Sequence, residues 1–323
     1  MSEELSQKTV VIGPADYALY CASGRACLLH EGYQLIENLL DRPWSRAELL
    51  EVIGQADAAI VGVEAWDAEV FAVAPRLKVL TKLGVGLDNI DLDAARRSGI
   101  SVANAPGGNS NAVAELTVGL ILSALREIPR MDAVVRAGSW ARVVGPELSG
   151  KTVGLVGFGN IGALVARRLA GFENRVLAYD PFPQPEKASK LGVELLDLDE
   201  VLAESEIVSL HLPSTPETHH FVNDSLLSKV RLGAYLVNTA RGALVDEGAL
   251  YRALSSGRLA GAALDVFEHE PIDPKHPLLS LPNVSVTTHA AADTFEAYQA
   301  IGLINAKAII TVLNGGSPEN LAN

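Results

Sequence analysis

The segment Val153-Gly-Leu-Val-Gly-Phe-Gly-Asn-Ile-Gly162 carries the strongest structural signal in the sequence. A short apolar run leads directly into a G-x-G-x-x-G motif, and apolar residues at helical spacing follow it, which predicts a strand, a tight turn and a helix. In such a turn the first glycine permits the bend, the second lets the backbone approach a pyrophosphate, and the third lets helix and strand pack closely. The motif therefore predicts a dinucleotide site at a helix N-terminus, formed by Gly157, Gly159, Asn160, Ile161 and Gly162.

The next predicted strand, Val176–Tyr179, is followed by an acidic residue, Asp180. A carboxylate about 20 residues beyond the motif can accept both ribose hydroxyls of the adenosine half and repels a 2′-phosphate. The sequence therefore favours NAD over NADP as the cofactor. The alternative is a glycine-rich turn of a doubly wound sheet that binds nothing.

Apolar and β-branched runs alternate with helical segments along the chain, which is typical of βαβ units and parallel sheets. Capping-box spacing predicts helix starts at Ser45, with Glu48, and at Asp293, with Glu296. The segment from Asn109 to Glu127 is apolar nearly all round, which predicts a helix that is covered on every side and buried at a domain or subunit interface. The predicted strands are Thr9–Ile12, Ala58–Val63, Leu77–Leu80, Val153–Val156, Val176–Tyr179, Ile207–Leu210, Ala234–Val237, Ala260–Leu264 and Val284–Val286.

Length, charge and cysteine content limit the classes of function. The 323 residues are about twice the ~150 of a typical domain, so two domains are expected. The formal charge of −13 argues against nucleic acid or an anionic membrane as a partner. Cys21 and Cys27, the two cysteines of the sequence, suggest neither a disulfide framework nor a zinc cluster, so no metal is expected. A reducing, cytoplasmic compartment fits this cysteine content best. The polar N-terminus and the absence of a long apolar run predict neither a signal peptide nor a membrane span.

Three further segments carry polar residues at the ends of predicted strands, where ligands of open α/β sheets bind. They are Val237-Asn-Thr-Ala-Arg-Gly242, Leu264-Asp-Val-Phe-Glu-His-Glu-Pro271 and Val286-Thr-Thr-His-Ala290. Together with the glycine motif, and in this order, they resemble the D-isomer specific 2-hydroxyacid dehydrogenase family over nearly the whole chain. The resemblance implies reversible hydride transfer between NAD and C2 of a D-2-hydroxy acid.

Three side chains suit the reduction of a 2-keto acid, and the resemblance implies that they are the family's arginine, histidine and glutamate. Arg241 offers a planar fork that can bind carboxylate and carbonyl oxygens. His289 can exchange a proton with the alkoxide because its charge changes near neutral pH. Glu270, if it reaches the imidazole, would raise the pKa of His289. The alternatives are a surface ion pair for Arg241 and a structural role for His289.

The resemblance alone implies the other cofactor contacts. Thr288 and Ala290–Ala292 depart from the family's proline before the histidine and glycine after it, which affects the expected carboxamide contacts. Glu268 is expected at the surface. Four further histidines are expected to lie in solvated loops, namely His219, His220, His269 and His276. The implied cofactor-binding residues are His211, Pro213, Thr218, Thr239, Ala240, Asp265 and Ala291.

The N-terminal region resembles the family's substrate loop. The resemblance implies that backbone N–H groups hold the substrate carboxylate, at Leu83, Gly84, Val85 and Gly86. Lys82 stands where phosphoglycerate dehydrogenases carry a basic residue directed at the distal phosphate; the alternative is an exposed strand-end lysine. Arg142 of a neighbouring subunit could add charge to the same site. The chain resembles a short branch of that enzyme, without a regulatory domain after Asn323.

Two doubly wound α/β domains are therefore expected. A discontinuous, flavodoxin-like substrate domain comprises residues 1–104 and 291–323, and a Rossmann NAD-binding domain comprises residues 105–290. The expected protein is a homodimeric dehydrogenase acting on a small anionic acid such as 3-phosphoglycerate. The alternatives are a glyoxylate or hydroxypyruvate reductase, and an NAD(H)-sensing binding protein like the corepressors that share the fold.

Overall fold

A computed structural model describes residues 7–323, so the first six residues of the predicted polar N-terminus lie outside the described part of the chain. The chain divides into two compact units. The first unit consists of residues up to Asn109 together with Ala292–Asn323, and the second of Ser110–Ala291. No helix within residues 7–323 combines the length and apolar character that a bilayer crossing requires.

The first unit is built on a five-stranded sheet with the order β2-β1-β3-β4-β5, in which every pairing is parallel. This is the flavodoxin-like order, in which the direction of winding reverses between β1 and β3. The strands are β1 (Thr9–Ile12), β2 (Gln34–Glu37), β3 (Ala58–Val61), β4 (Val79–Lys82) and β5 (Ser101–Ala103). The helices are α1 (Tyr17–Tyr20), α2 (Ala22–His30), α3 (Arg46–Ile53), α4 (Ala68–Ala72), α5 (Leu92–Arg97) and α13 (Phe295–Leu313).

The second unit is built on a seven-stranded parallel sheet with the order β12-β11-β10-β9-β6-β7-β8. Winding reverses between β6 and β9, as in a Rossmann fold. The strands are β6 (Thr152–Val156), β7 (Arg175–Tyr179), β8 (Val193–Leu195), β9 (Ile207–Leu210), β10 (Ala234–Asn238), β11 (Leu259–Leu264) and β12 (Val284–Val286). The helices are α6 (Ser110–Arg126), α7 (Ile128–Arg136), α8 (Asn160–Leu169), α9 (Pro185–Lys190), α10 (Leu198–Glu204), α11 (Asp224–Lys229) and α12 (Glu247–Ser255). The predicted fold class, two doubly wound parallel sheets, is confirmed.

Local predictions are confirmed at one helix start and wrong at another. Ser45 and Glu48 form the predicted capping box of α3. Helix α13, however, begins one residue later than predicted, because Thr294 is its N-cap and accepts a hydrogen bond from the Ala297 N–H. The carboxylate of Asp293 instead accepts a hydrogen bond from the Tyr298 hydroxyl, at 3.1 Å.

The apolar helix α6 packs against α8 and the sheet of its own unit. Ala114, Ile121 and Leu125 are fully buried there. Leu116 and Leu122 are only partly buried in the single chain, so burial of this helix at an interface stays a prediction.

Candidate active site

The glycine motif forms the predicted turn between β6 and α8. Gly157 has a φ of +102°, which L side chains rarely adopt, and an added Cβ there would lie 2.6 Å from the His211 carbonyl oxygen. A Cβ at Gly162 would lie 2.4 Å from the Gly157 carbonyl oxygen. The backbone packing therefore requires both glycines, with or without a ligand.

Gly159 differs from its two neighbours in the motif. A Cβ added at this position would meet no heavy atom within 4 Å, so the packing of the chain does not require a glycine. A ligand that approaches the backbone at the start of α8 would explain why the residue at position 159 has no side chain. The turn thus leaves room at its backbone for the pyrophosphate of a dinucleotide.

Asp180 lies at the end of β7, beside the same turn. Its carboxylate accepts hydrogen bonds from the Phe158 N–H at 2.7 Å and the Phe182 N–H at 2.8 Å. Lys187, which the sequence analysis missed, donates to the Gly159 carbonyl oxygen at 2.9 Å. Asp180 therefore holds the turn in place, and it also lies where the adenosine ribose is expected.

Substituting Gly159 with alanine is expected to weaken NADH binding about tenfold, because the added methyl group occupies the space of the pyrophosphate. Thermal stability should change little, since that methyl group meets no protein atom within 4 Å. Gly171→Ala is the matched control, because a Cβ there also meets nothing. Fluorescence titration measures both affinities, and equal affinities in the two variants would contradict a cofactor site at Gly159.

The turn that follows β10 presents Arg241. Asn238, at the end of the strand and almost fully buried, donates to the Arg241 carbonyl oxygen at 2.9 Å and accepts from the Ala240 N–H at 3.0 Å. The guanidinium donates to the Ala240 carbonyl oxygen at 2.7 Å. The side chain of Asn238 therefore sets the backbone from which Arg241 projects.

The turn carrying Arg241 packs directly against the loop that carries Glu270. A Cβ at Gly242 would lie 1.9 Å from the backbone carbonyl atoms of Phe267, so only glycine allows this approach. The Phe267 N–H in turn donates to Glu270 Oε1 at 2.9 Å. Gly242 is thus the residue that brings the two polar loops together.

His289 and Glu270 are in direct contact. His289 Nδ1 lies 2.6 Å from Glu270 Oε2, and the imidazole is about half exposed. An ionised carboxylate only accepts hydrogen bonds, so Nδ1 carries a proton and Nε2 is left to exchange one. The predicted pairing of these two side chains is present.

Their contact shifts both pKa values. The hydrogen bond to Glu270 and the negative charges of Glu270 and Asp265 raise the pKa of His289, against the opposing effects of burial and Arg241. Burial acts to raise the pKa of Glu270, but the hydrogen bonds from His289 and Phe267 and the positive charges of His289 and Arg241 outweigh it and lower the pKa. The pair therefore favours an imidazolium beside a carboxylate.

Asp265 holds the turn on which His289 lies. It is completely buried, and its carboxylate accepts hydrogen bonds from Thr287 Oγ1 and from the N–H groups of Ala290 and Ala291, at 2.6, 2.9 and 3.0 Å. The His289 N–H donates to the Asp265 carbonyl oxygen at 2.7 Å. These contacts keep His289 at a φ of +56°, a strained conformation for a side chain with a Cβ.

Two more predicted cofactor residues shape the loop after β9. Burial lowers the pKa of His211 to about 4, so this imidazole is neutral at neutral pH, and its Nε2 lies 3.0 Å from Ser209 Oγ. Thr218 Oγ1 donates to the Pro213 carbonyl oxygen and accepts from the Thr215 N–H, both at 2.8 Å. The loop is therefore held by its own side chains.

Thr239, another predicted cofactor residue, is linked to the apolar helix α6. Its hydroxyl lies 2.8 Å from the Thr117 hydroxyl, which donates to the Val113 carbonyl oxygen. Helix α6 therefore helps to place the segment that leads to Arg241.

The expectation of solvated histidines and a surface Glu268 is wrong in part. His220 Nε2 lies 2.8 Å from Glu268 Oε1, and the His276 imidazole, which is three-quarters buried, lies 3.2 Å from Glu247. Glu247 also accepts from the Glu268 N–H at 2.9 Å. His219, at 55% exposure, and His269 are exposed, as expected. Long-range pairing in loops, which sequence spacing does not reveal, explains the difference.

The predicted substrate loop lies in the first unit, after β4. The Leu83 N–H donates to the Val61 carbonyl oxygen and the Gly84 N–H to the Lys82 carbonyl oxygen, both at 2.9 Å. These two amides are already used within the chain, so the predicted anion site depends on the N–H groups of Val85 and Gly86. The expectation that all four amides bind the carboxylate is corrected accordingly.

Lys82 is not an exposed strand-end lysine. Its ammonium group donates to the Gly62 carbonyl oxygen and, at 2.9 Å, to Asn89 Oδ1. Lys82 thus helps to hold the turn after β3.

Comparison with known proteins places these features in a family. The model of the D-isomer specific 2-hydroxyacid dehydrogenase NAD binding domain matches residues 118–291. A glyoxylate reductase of Thermofilum pendens is 45% identical, over 88% of this chain and 86% of its own. A D-3-phosphoglycerate dehydrogenase of Archaeoglobus fulgidus is 44% identical, over 86% of this chain. This chain spans only about half of that dehydrogenase, 54% of its length. A crystal structure of a Thermus thermophilus protein aligns over 98% of this chain and all of its own, with a TM-score of 0.89 and 37% identity.

Proposed function

The chain belongs to the D-isomer specific 2-hydroxyacid dehydrogenase family, and we propose that it transfers a hydride between nicotinamide and C2 of a D-2-hydroxy acid. The observation that carries this proposal is the 2.6 Å contact between His289 and Glu270, with the charge of Arg241 acting on both groups. NAD, when bound, supplies or accepts the hydride. The glycine turn from Gly157 to Gly162 would hold its pyrophosphate.

Each side chain has a distinct role in this proposal. Arg241 binds the substrate carboxylate and polarises the carbonyl oxygen with its planar fork. His289, kept protonated by Glu270, donates the proton from Nε2 to the alkoxide oxygen during reduction and accepts it during oxidation. Glu270 and Asp265 are positioning residues, because they act through His289 and its turn. The other predicted cofactor contacts, from His211 to Ala291, remain part of the proposal.

Replacing Glu270 with glutamine should move the pH profile to lower pH. Glu270 is the largest cause of the raised pKa of His289, so the variant should lose proton-donating His289 at a lower pH than the wild type. Reduction needs the protonated imidazole, so the alkaline limb of the reduction profile should shift to lower pH. Oxidation needs the neutral imidazole, so the acid limb of the oxidation profile should also shift to lower pH. Profiles of kcat/KM in both directions measure this, and unchanged limbs would remove Glu270 from the proposed pair.

The proposed substrate is a small anionic 2-hydroxy or 2-keto acid, bound in part by the amides of Val85 and Gly86. Two relatives suggest different acids, because one is a glyoxylate reductase and the other a D-3-phosphoglycerate dehydrogenase. NADH oxidation against glyoxylate, hydroxypyruvate, phosphohydroxypyruvate and pyruvate tests the proposal. Failure with every acid would argue against an enzyme of this class and favour an NAD(H)-binding role.

We also propose a homodimer in a reducing, cytoplasmic compartment. Two observations support the dimer: Trp140 and Val144, after α7, are 81% and 95% exposed in the single chain, and helix α6 keeps partly exposed apolar residues. The unpaired Cys21 and Cys27 fit a reducing compartment. Sedimentation at micromolar concentration tests the dimer, and a monomer would contradict it.

A further inference from the structure

Two histidines and a glutamate that the proposed mechanism does not use form a side-chain cluster within the second unit. His219 and His220 follow β9 in the chain, and Glu268 follows β11. The Nε2 atoms of both imidazoles approach the same carboxylate oxygen, Glu268 Oε1, at 3.9 and 2.8 Å. The two rings are stacked, with their centroids 4.0 Å apart. Within residues 7–323, no other three histidine, cysteine, aspartate or glutamate side chains bring their ligand atoms within 4.8 Å of one another.

Hydrogen bonds of the backbone hold this cluster in place. The His220 N–H donates to the Ala243 carbonyl oxygen at 2.8 Å, and Asn223 Nδ2 donates to the His220 carbonyl oxygen at 3.1 Å. The Glu268 N–H donates to Glu247 Oε1 at 2.9 Å. Two separately anchored loops therefore present the imidazoles and the carboxylate to each other, as a preorganised ligand set requires.

The backbone of His220 is strained. Its φ is +49°, in the left-handed region that a residue with a Cβ rarely adopts. Strain of this kind is concentrated at functional sites, where the surrounding structure maintains it. A partly exposed ion pair contributes little to stability, so the contact with Glu268 alone explains neither the strained backbone nor the second, stacked imidazole. A ligand that uses all three side chains explains both.

The chemistry of the three side chains selects the class of ligand. Imidazole nitrogen and carboxylate oxygen together suit Zn²⁺ and similar divalent transition metals, whereas Mg²⁺ and Ca²⁺ take oxygen ligands. With metal–ligand bonds of about 2.0–2.2 Å, tetrahedral ligand atoms lie about 3.3 Å apart. The two distances to Glu268 Oε1, 2.8 and 3.9 Å, lie on either side of this value. The side chains of His219, His220 and Glu268 are 55%, 35% and 27% exposed, so an ion and a completing water ligand can enter from solvent.

We propose that His219, His220 and Glu268 bind one Zn²⁺ ion or a similar divalent transition metal, through the two Nε2 atoms and a carboxylate oxygen. The ion fastens the loop after β9 to the loop after β11, in which Glu270 lies two residues beyond Glu268. It stabilises these loops and takes no part in the proposed hydride transfer. The expectation of no metal rests on the cysteine content, which does not bear on imidazole ligands.

Calorimetric titration of the full chain, first freed of metal by a chelator, tests this site with zinc chloride. The wild type should bind one Zn²⁺ per chain and should give no binding signal with magnesium chloride at the same concentrations. Glu268→Gln and His220→Asn each remove one ligand, so the affinity for Zn²⁺ should fall at least about tenfold. Asparagine is chosen because it tolerates the left-handed conformation of His220.

A third variant keeps the test independent of any folding defect. His219→Asn changes the most exposed side chain of the cluster, at a residue without a left-handed φ, and should also lose at least about tenfold in affinity for Zn²⁺. His269→Asn is the matched control, because it removes an exposed histidine directly beside Glu268 and should keep the wild-type affinity. His289→Asn removes the other histidine–glutamate contact and should keep that affinity as well.

The affinities decide between a metal site and a merely structural ion pair. Absence of zinc binding by the wild type would overturn the inference, as would wild-type affinity in His219→Asn. Loss of zinc binding in His289→Asn would place the ion at the proposed catalytic pair and would also overturn it. The proposed hydride transfer does not depend on this cluster and is tested separately, by NADH oxidation.

Discussion

The Arg241→Ala variant is expected to lose about a thousandfold in kcat/KM for its 2-keto acid. Arg241 supplies the planar cation that binds the substrate carboxylate and polarises the carbonyl oxygen in the proposed mechanism. Two charge-assisted hydrogen bonds of about 1.5–3 kcal/mol each account for a loss of this size. Steady-state kinetics should show a raised KM together with a lowered kcat.

Lysine at this position should restore little of the lost activity, because an ammonium group cannot reproduce the two-pronged geometry of guanidinium. Arg252→Ala is the matched control, since it removes an arginine of the same unit that forms an exposed ion pair with Asp224. Near-wild-type turnover in Arg241→Ala would contradict the assignment, whereas loss of activity in both variants would show that the effect is not specific to the site.

The His289→Asn variant should lose about a hundredfold to ten-thousandfold in kcat, because the proposed proton donor is removed. Asparagine is chosen because it tolerates the left-handed conformation that His289 adopts at a φ of +56°, so the turn held by Asp265 can persist. The affinity for NADH should therefore change little.

His30→Asn provides the control, since His30 is exposed in the last turn of α2. Thermal unfolding of the variant distinguishes lost chemistry from lost fold. A His289→Asn enzyme with wild-type kcat would show that another group, or water, protonates the alkoxide.

The sequence predicts the central strands well because they are buried on both faces and read as apolar runs. Strands β1, β3 and β9 have every residue buried. Three short strands, β2, β5 and β8, were missed; all three lie at sheet edges, and β2 and β8 have one exposed residue each. Edge strands need no continuous apolar pattern, since only part of their surface is covered.

The same contrast holds in the candidate site. The side chains proposed to take part in the reaction lie in sequence motifs that can be recognised, and the structure brings Glu270 and His289 together as predicted. The supporting roles of Asn238, Gly242 and Asp265 are harder to predict from the sequence, because each depends on a contact across a turn or between loops. The segment that carries Arg241 offered one signal for Gly242: a glycine directly after the arginine, where a close approach is needed.

The most direct test of the central claim follows the hydride itself. NADH carrying deuterium at both C4 positions is incubated with the protein and hydroxypyruvate, and the product is analysed by mass spectrometry and chiral chromatography. The account predicts D-glycerate with one deuterium at C2. The L isomer, a product without deuterium, or no product would contradict it.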